Sequence, residues 1–317
     1  MYIELQEKCE SVVKNLKVLK KTFWLDTTIL QLSAAMYLTN KKILADQEEL
    51  KRCNAIIKKH CGALSVYRNN MRDILCVRMM THENPEDYLL KIMELSDLVD
   101  RRKALKTAFA VHAAILLYDR VDPSEYEYYA GLTKVIYQRM KEEHRFLTGE
   151  DDLAFAALLA VSNIDIENLD LEMKECFELL KEEKISLDAR QELSHILALD
   201  MGAPTEKVAK VKALFEEFKR RKKQFRSGYE MVSVGMLAMI DLSVSELCDM
   251  VLEIEEWLKP QEGFHGLSVD RAGRLMCASD FVVETYRPEG YEMDSVLQYI
   301  SLKVAIAQQA AAAAAAA

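Results

Sequence analysis

Near the middle of the chain stands the stretch Leu147-Thr-Gly-Glu-Asp-Asp-Leu-Ala-Phe-Ala-Ala-Leu-Leu-Ala160. Its first half is polar and contains a glycine, whereas its second half is a dense run of alanine, leucine and phenylalanine. Polar residues of this kind favour the start of a helix, and alanine and leucine are among the best helix formers. The stretch therefore predicts a polar turn that leads into a mostly apolar helix.

A related turn followed by a helix recurs earlier and later in the chain. Leu158-Leu159-Ala160 aligns with Met236-Leu237-Ala238 at an offset of 78 positions, and Glu94 aligns with Glu175 at an offset of 81. Recurrence at a near-constant spacing indicates stacked helical units. The alternative is that unrelated amphipathic helices align by coincidence, because their apolar residues share one spacing.

This recurrence divides the chain into five expected segments. The fold class that follows is all-α, with repeated antiparallel four-helix units that form a short α-solenoid or an elongated helical bundle. The segments are an N-terminal helix in residues 1–22, helical units in 23–101, 102–184 and 185–262, and C-terminal capping helices with an alanine-rich tail in 263–317.

The composition agrees with helices almost throughout. Only 10 glycines and 5 prolines occur in 317 residues, and these are the residues that most often interrupt helices. The formal net charge of −9 disfavours nucleic acid as the main partner. Seven cysteines are scattered without paired spacing, which is typical of reduced thiols in a cytoplasm.

Neither end of the chain predicts a membrane segment. The N-terminus has an acidic residue at Glu4 and no apolar leader, so we expect no signal peptide and a cytoplasmic location. The alanine-rich tail is interrupted by Lys303, and the residues that follow fall short of the ~20 that a spanning helix needs. We therefore expect no transmembrane segment.

The acidic residues of the opening stretch have two interpretations. Thr148 stands three positions before Asp151, and Ser227 stands three before Glu230, which is the capping-box pattern of a helix start. The run Glu150-Asp151-Asp152 also resembles a cluster of oxygen ligands for Mg²⁺ or Ca²⁺. Consecutive residues of a helix point in different directions, so the pattern favours capping.

Other candidate metal or catalytic residues are isolated. Glu192-Leu-Ser-His195 is a single E-x-x-H, whereas di-metal bundles need two such motifs and two further glutamates. Cys53, His60 and Cys61 lie within one predicted helix, but His60 and Cys61 diverge by about 100° around its axis. The phosphate-loop, dinucleotide and nucleophile-elbow motifs are not found. We therefore predict no cofactor and no metal site, and the sequence assigns no catalytic residue.

One strong run of positive charge stands out, and we call it the basic run. It predicts a solvated helix end, because cations complement the helix dipole there. It is also the one set of residues that we assign to contact with an anionic partner, RNA or a membrane surface. The basic run consists of Lys219, Arg220, Arg221, Lys222, Lys223 and Arg226.

The central stretch, preceded by Lys141-Glu-Glu-His-Arg-Phe146, resembles a family of bacterial proteins that is catalogued as a domain of unknown function. The resemblance extends to chain length, helical content and the alanine-rich C-terminus, and it covers most of the chain. It implies a bacterial, cytoplasmic protein. It supplies no catalytic residue, because no activity is assigned to the family.

Three functions fit these features. The leading hypothesis is a protein-binding or scaffold protein that holds a protein or peptide on a concave surface, since helical stacks expose such surfaces. The alternative is an enzyme or small-ligand-binding protein with a pocket between helices that involves Asp151, His195, Arg226 or His265. The third is electrostatic contact of the basic run with a membrane or nucleic acid.

Overall fold

The computed structural model describes residues 3–24, 28–102, 106–143, 149–162, 166–199, 202–223, 225, 231–264 and 269–286. Within these ranges the secondary structure is helical and no strand occurs, so the all-α class is confirmed. No helix in these ranges is both long and apolar enough to cross a bilayer. The helices are α1 Ile3–Thr22, α2 Thr28–Asn40, α3 Gln47–His60, α4 Arg72–Met80, α5 Pro85–Val99, α6 Ala108–Arg120, α7 Tyr126–Glu143, α8 Asp152–Val161, α9 Ile166–Leu179, α10 Leu187–Leu197, α11 Pro204–Arg220, α12 Val232–Ala238, α13 Val244–Leu258 and α14 Arg271–Tyr286.

Several helices begin at polar caps that the sequence supplies. The Asp46 carboxylate accepts hydrogen bonds from two backbone N–H groups in the first turn of α3. Pro85 occupies the first turn of α5, as predicted, and Asn84 caps that helix. A complete capping box joins Ser243 and Glu246 at the start of α13. Each cap satisfies backbone donors that the first helical turn leaves without partners.

Helices of two kinds alternate along the chain. The even-numbered helices α2, α6, α8 and α12 are buried around most of their circumference, which is typical of sequences that are apolar on all sides. The odd-numbered helices α3 and α13 are amphipathic and bury one stripe. In α3 the buried residues are Leu50, Cys53 and Ile57, at intervals of three and four. Each amphipathic helix from α3 to α13 packs on the buried helix that follows it.

The contacts divide the chain into two compact units, and each is described separately. The amino-terminal unit includes the described residues within 11–163. In it, α2 packs on α4 and α6 packs on α8. The buried Asn15 of α1 donates to Thr39 Oγ1 at 3.1 Å and to Ile43 O at 3.1 Å, and it accepts from Ala45 N–H at 2.8 Å. This side chain joins α1 to the end of α2.

The carboxy-terminal unit includes the described residues within 1–10 and 164–293. Its buried helices pack in succession, α10 on α12 and α12 on α14. The closest approach of α10 and α12 is at Gly235, where a Cβ atom would lie 2.8 Å from Leu193 Cδ2. The carboxylate of Glu255 on α13 accepts from Lys223 at 3.2 Å and from Arg274 of α14 at 3.0 Å.

Four α-helices fall within each of the three predicted units, 23–101, 102–184 and 185–262. Their order is the same each time: a buried helix, an amphipathic helix, a second buried helix and a second amphipathic helix. The repeat itself and its unit boundaries stay predictions, as does the capping role of 263–317, of which α14 is the described helix.

The apolar pattern of the sequence predicts helices that begin at Trp24 and Ala104 and a helix that runs to Met201, and the structure displaces these three ends. Trp24 was expected to begin the second helix, but it lies in a turn with 78% of its surface exposed, and α2 begins at Thr28. Helix α6 begins at Ala108, later than the predicted Ala104, because the Thr107 hydroxyl caps it. Helix α10 ends at Leu197, short of the predicted Met201. Caps and turns decide these ends, and the apolar pattern continues past them.

In the opening stretch, α8 is buried from Asp152 to Ala160, as its composition predicted. The predicted pairing of Thr148 with Asp151 stays a prediction. At this helix start Asp152 accepts from the Gly149 N–H at 2.8 Å. Thr148, Ser227 and Glu230 lie outside the described residues.

All seven cysteines are buried and free of disulfide bonds, as expected. Burial raises the pKa of the Cys9 and Cys248 thiols to about 12, because a thiolate is poorly solvated in an apolar interior. The thiols therefore act as small apolar side chains of the core.

Candidate functional site

The carboxy-terminal unit contains a cleft of about 430 Å³ between the end of α11 and the segment that joins α9 to α10. Phe218 is buried at this cleft, and its ring meets the ring of Phe225 edge to face with centroids 5.0 Å apart. We call this cavity the aromatic cleft. Its apolar lining consists of Ile185, Phe215, Phe218, Phe225 and Met231.

The residue spacing of α11 explains why the cleft is aromatic. Val211, Leu214 and Phe218 recur at intervals of three and four and are buried, so they form the core-facing stripe. Phe215 stands one position beyond Leu214 and is half-buried. It therefore lies where the core meets the cleft. A large apolar ring left partly exposed beside buried rings is available for contact with another molecule.

The rim of the aromatic cleft carries charges of both signs. Glu182, Glu183 and Lys184 come from the α9–α10 segment, and Glu216 and Lys219 come from α11. Lys219 Nζ lies 3.1 Å from a Glu216 oxygen. The long alkyl stem of Lys219 adds apolar surface to the lining while its ammonium group stays in water.

The structure places the basic run next to a matching set of carboxylates. Four of its cations contact five acidic side chains. Lys219 pairs with Glu216, Arg220 with Glu217 at 2.6 Å, Arg221 with Glu217 at 2.7 Å and with Asp249, and Lys223 with Glu255 at 3.2 Å and Glu256 at 2.6 Å. Hydrogen bonds from Arg220, and then from Arg221, lower the pKa of Glu217 to about 2. The positive charge of these cations is thus balanced within the unit.

The backbone of the basic run also forms the end of α11. Lys222 has a φ of 57°, and its N–H donates to Lys219 O at 2.9 Å. The N–H of Lys223 donates to Phe218 O at 2.9 Å. These two bonds form a Schellman cap. The assignment of the basic run to a partner contact stays a prediction, and of its residues Lys219 lines the cleft. Arg226 lies outside the described residues.

The other residues that the sequence singled out belong to both units or lie outside the described residues. Glu192 and His195 are both buried on α10 of the carboxy-terminal unit. Asp151 belongs to the amino-terminal unit, and His265 lies outside the described residues. His60 Nε2 lies 2.5 Å from Glu86, which fits the interpretation of helix-end packing.

A second polar cluster surrounds Arg78 in the amino-terminal unit. The guanidinium is buried, lies 2.5 Å from Asp119, and stands 4.4 Å from the centroid of the Tyr37 ring. Burial disfavours its charged form, but the charge and hydrogen bond of Asp119, together with Tyr88 and Tyr37, outweigh burial and raise the pKa of Arg78. His82 stacks on Tyr88 with ring centroids 4.3 Å apart. A carboxylate and aromatic rings thus compensate the buried cation, so we interpret this cluster as core stabilisation.

A larger and more open cleft of about 880 Å³ lies in the amino-terminal unit, beside the loop that follows α3. Its polar groups are bonded to the protein itself. Asn69 donates to Ser65 O at 2.7 Å, and Lys106 contacts the Asp97 carboxylate and donates to Asp100 O at 2.8 Å. These contacts organise the loop, so the aromatic cleft is the stronger candidate for binding.

Comparison with known proteins gives a family. The family model described as Protein of unknown function (DUF4003) matches residues 14–311. The chain belongs to this family. The match confirms the resemblance read from the central stretch. No curated protein matches the chain, and no solved structure matches it. Because the family is one of unknown function, membership transfers no catalytic residue.

Phe218 and Phe225 flank the basic run in the sequence, but sequence reasoning did not unite them with Ile185, Phe215 and Met231 in one cavity. Phe215 stands four positions after Val211 and three before Phe218, so its spacing reads as part of the core stripe of α11. Ile185 and Met231 are 46 positions apart, and no local spacing links them.

Proposed function

We propose that the protein binds another protein or a peptide through the aromatic cleft. The observation that carries this proposal is a cavity whose apolar lining includes three phenylalanines and a methionine, with a charged rim around them. Aromatic residues and methionine are the residue types enriched at protein interfaces. An apolar side chain of a partner that fills such a cavity gains about 1.5–3 kcal/mol.

The basic run supports this proposal in a secondary role. Lys219 is the cation that reaches the rim, whereas Arg221 and Lys223 hold the end of α11 against α13. A helix end fixed in this way keeps Phe215 and Phe218 in place. A preformed cavity loses less conformational entropy on binding than one that must be assembled.

A photo-crosslinking experiment tests the proposal. p-Benzoylphenylalanine replaces Lys184 at the rim, and a control protein carries it at Tyr128, which is 66% exposed in the amino-terminal unit. We expect one protein from the native host lysate to crosslink at position 184 and not at 128. The additional substitution Phe225→Ser should weaken the crosslink, because it removes one of the three aromatic rings of the lining.

The captured protein must then bind the purified chain. We expect a Phe225→Ser substitution to weaken that binding at least about tenfold, which corresponds to about 1.4 kcal/mol. Identical crosslinks from positions 184 and 128, or a captured protein that shows no binding once purified, would contradict the proposal. A small molecule that copurifies and is lost in Phe225→Ser would favour the ligand-binding alternative, since the volume suits a small ligand.

A further inference from the structure

Among the described residues, the charges around the aromatic cleft are balanced, which bears on what the cleft accepts. Three described carboxylates stand at the rim, those of Glu182, Glu183 and Glu216. The rim lysines are Lys184 and Lys219. A third lysine, Lys212 of α11, lies 3.7 Å from Glu183. Three ammonium groups therefore offset the three carboxylates.

Two of these charges already have a partner on α11. Lys219 lies 3.1 Å from Glu216, and Lys212 lies 3.7 Å from Glu183. A charged ligand that pairs with one member of such an ion pair would have to displace the other member. The displaced charge has the same sign as the ligand and repels it. Exposed ion pairs contribute only about 0–1 kcal/mol, so the exchange gives little net binding energy.

Glu182 and Lys184 are the remaining charges on the described part of the rim, and they stand two positions apart in the chain. Their charges are opposite, so a single charge on a ligand is attracted by one and repelled by the other. The apolar lining carries no charge, so no attraction and repulsion cancel one another there. Filling it with an apolar group is worth about 1.5–3 kcal/mol, which exceeds what either rim charge supplies.

We infer that the aromatic cleft selects an uncharged apolar group, aromatic or aliphatic, and that the bound segment of the partner carries no charge where it meets the cleft. This inference rests on the proposed function, since it names the chemistry of the partner at the same site. It departs from the sequence-based expectation that this region contacts an anionic partner.

Three fluorescent probes with one aromatic core test the inference. They are N-phenyl-1-naphthylamine, which is neutral, its 8-sulfonate, and a derivative with a trimethylammonium group. We expect the neutral probe to bind the full chain, and we expect neither charged probe to bind tighter than the neutral one. Between about 0.05 M and 0.5 M salt the affinity of the neutral probe should change less than about twofold, although charges are screened far more strongly at the higher concentration.

Substitutions locate the bound probe. Phe225→Ser should weaken the neutral probe at least about fivefold, whereas the matched change Tyr128→Ser should leave it within twofold, since an exposed ring outside the cleft makes no contact with it. Glu182→Gln and Lys184→Gln should each change its affinity less than about twofold, because neither charge attracts a neutral probe.

Other results would overturn the inference. These are a charged probe that binds tighter than the neutral one at low salt, or a neutral probe that does not bind or is unaffected by Phe225→Ser. If a charged probe prevails while crosslinking at position 184 still captures a partner, the inference fails and the proposed function stands. If the neutral probe binds as expected and no partner is captured, the proposed function fails and the assigned chemistry of the cleft stands.

Discussion

Two lysines hold backbone conformations that favour glycine. Lys42 follows the end of α2 with a φ of 58°, and Lys222 follows the end of α11 with a φ of 57°. Each stands at the left-handed position of a Schellman cap, which Ile43 and Lys223 complete by donating to Leu38 O and Phe218 O, both at 2.9 Å. A side chain at this position costs about 1–2 kcal/mol that glycine avoids.

We expect Lys42→Gly and Lys222→Gly each to stabilise the protein by about 1 kcal/mol, because the strain of the left-handed residue is relieved. The measurement is the urea midpoint at an unchanged slope. Lys51→Gly, in the middle of α3, is the control and should lower the midpoint, since glycine there costs about 1 kcal/mol. A lower midpoint for Lys222→Gly would contradict this account of the helix end.

Asp73 of the amino-terminal unit is a buried carboxyl whose pKa is raised. Its carboxyl is buried, and burial raises its pKa from 3.8 to about 7 despite Arg72, which lies 3.3 Å away and acts to lower it. Below pH 3.8 both folded and unfolded chains are protonated at this site. As the pH rises towards 7, the unfolded chain releases its proton first, so stability contributed by this group is lost.

We therefore expect Asp73→Asn to flatten the fall in stability between about pH 4 and pH 7, and to make the protein more stable than the wild type at pH 7.5. The measurement is the free energy of unfolding in urea across this range. Asp241→Asn, at an exposed position, is the matched control. An unchanged slope in Asp73→Asn would show that Asp73 is ionised in the fold.

At the scale of elements, the alternation of buried and amphipathic helices follows from local sequence. The helix α8 is apolar on all sides, so it is buried on all sides, and α13 has one apolar stripe, so it buries one. Local sequence also supplied the capping box at Ser243 and Glu246. The contacts between helices are harder to predict from local sequence. The ion pairs of Glu255 connect residues 32 and 19 positions apart along the chain.

Glu255 joins α13, α14 and the end of α11 through Lys223 and Arg274. Its carboxylate is 1% exposed, so we expect Glu255→Gln to cost about 3 kcal/mol, because two cations lose the charge that compensates them. The neighbouring Glu256 also contacts Lys223, but it is 53% exposed. Glu256→Gln should cost less than about 1 kcal/mol. Thermal unfolding of both variants measures the difference, and equal losses would contradict the role of Glu255.

At the scale of the whole molecule, alkylation of the buried cysteines can measure the opening of each of the two units. Those of the amino-terminal unit are Cys53, Cys61 and Cys76, and those of the carboxy-terminal unit are Cys9, Cys176, Cys248 and Cys277. All are buried, so alkylation of the native chain requires local or global opening. A destabilising substitution should therefore expose the thiols of its own unit first.

We expect brief alkylation to label the thiols of the two units at different urea concentrations. Mass spectrometry of peptides measures the labelling of each thiol. Asp119→Asn, which leaves the buried Arg78 without its carboxylate, should advance labelling of Cys53, Cys61 and Cys76. Glu255→Gln should advance labelling of Cys176, Cys248 and Cys277. Simultaneous labelling of all seven thiols in both variants would show that the units open together.

The sequence by itself determined the helical class, the sites of many helices and the buried character of the cysteines. These features depend on residue type, on spacings of three and four and on caps within a few positions, all of which are local. Only the tertiary structure decided the environment of the basic run. Arg221 meets Asp249 and Lys223 meets Glu255 because α11 and α13 pack together, so a stretch that reads as exposed positive charge is largely balanced. The aromatic cleft likewise exists because packing brings distant apolar side chains to one cavity, which no local spacing encodes.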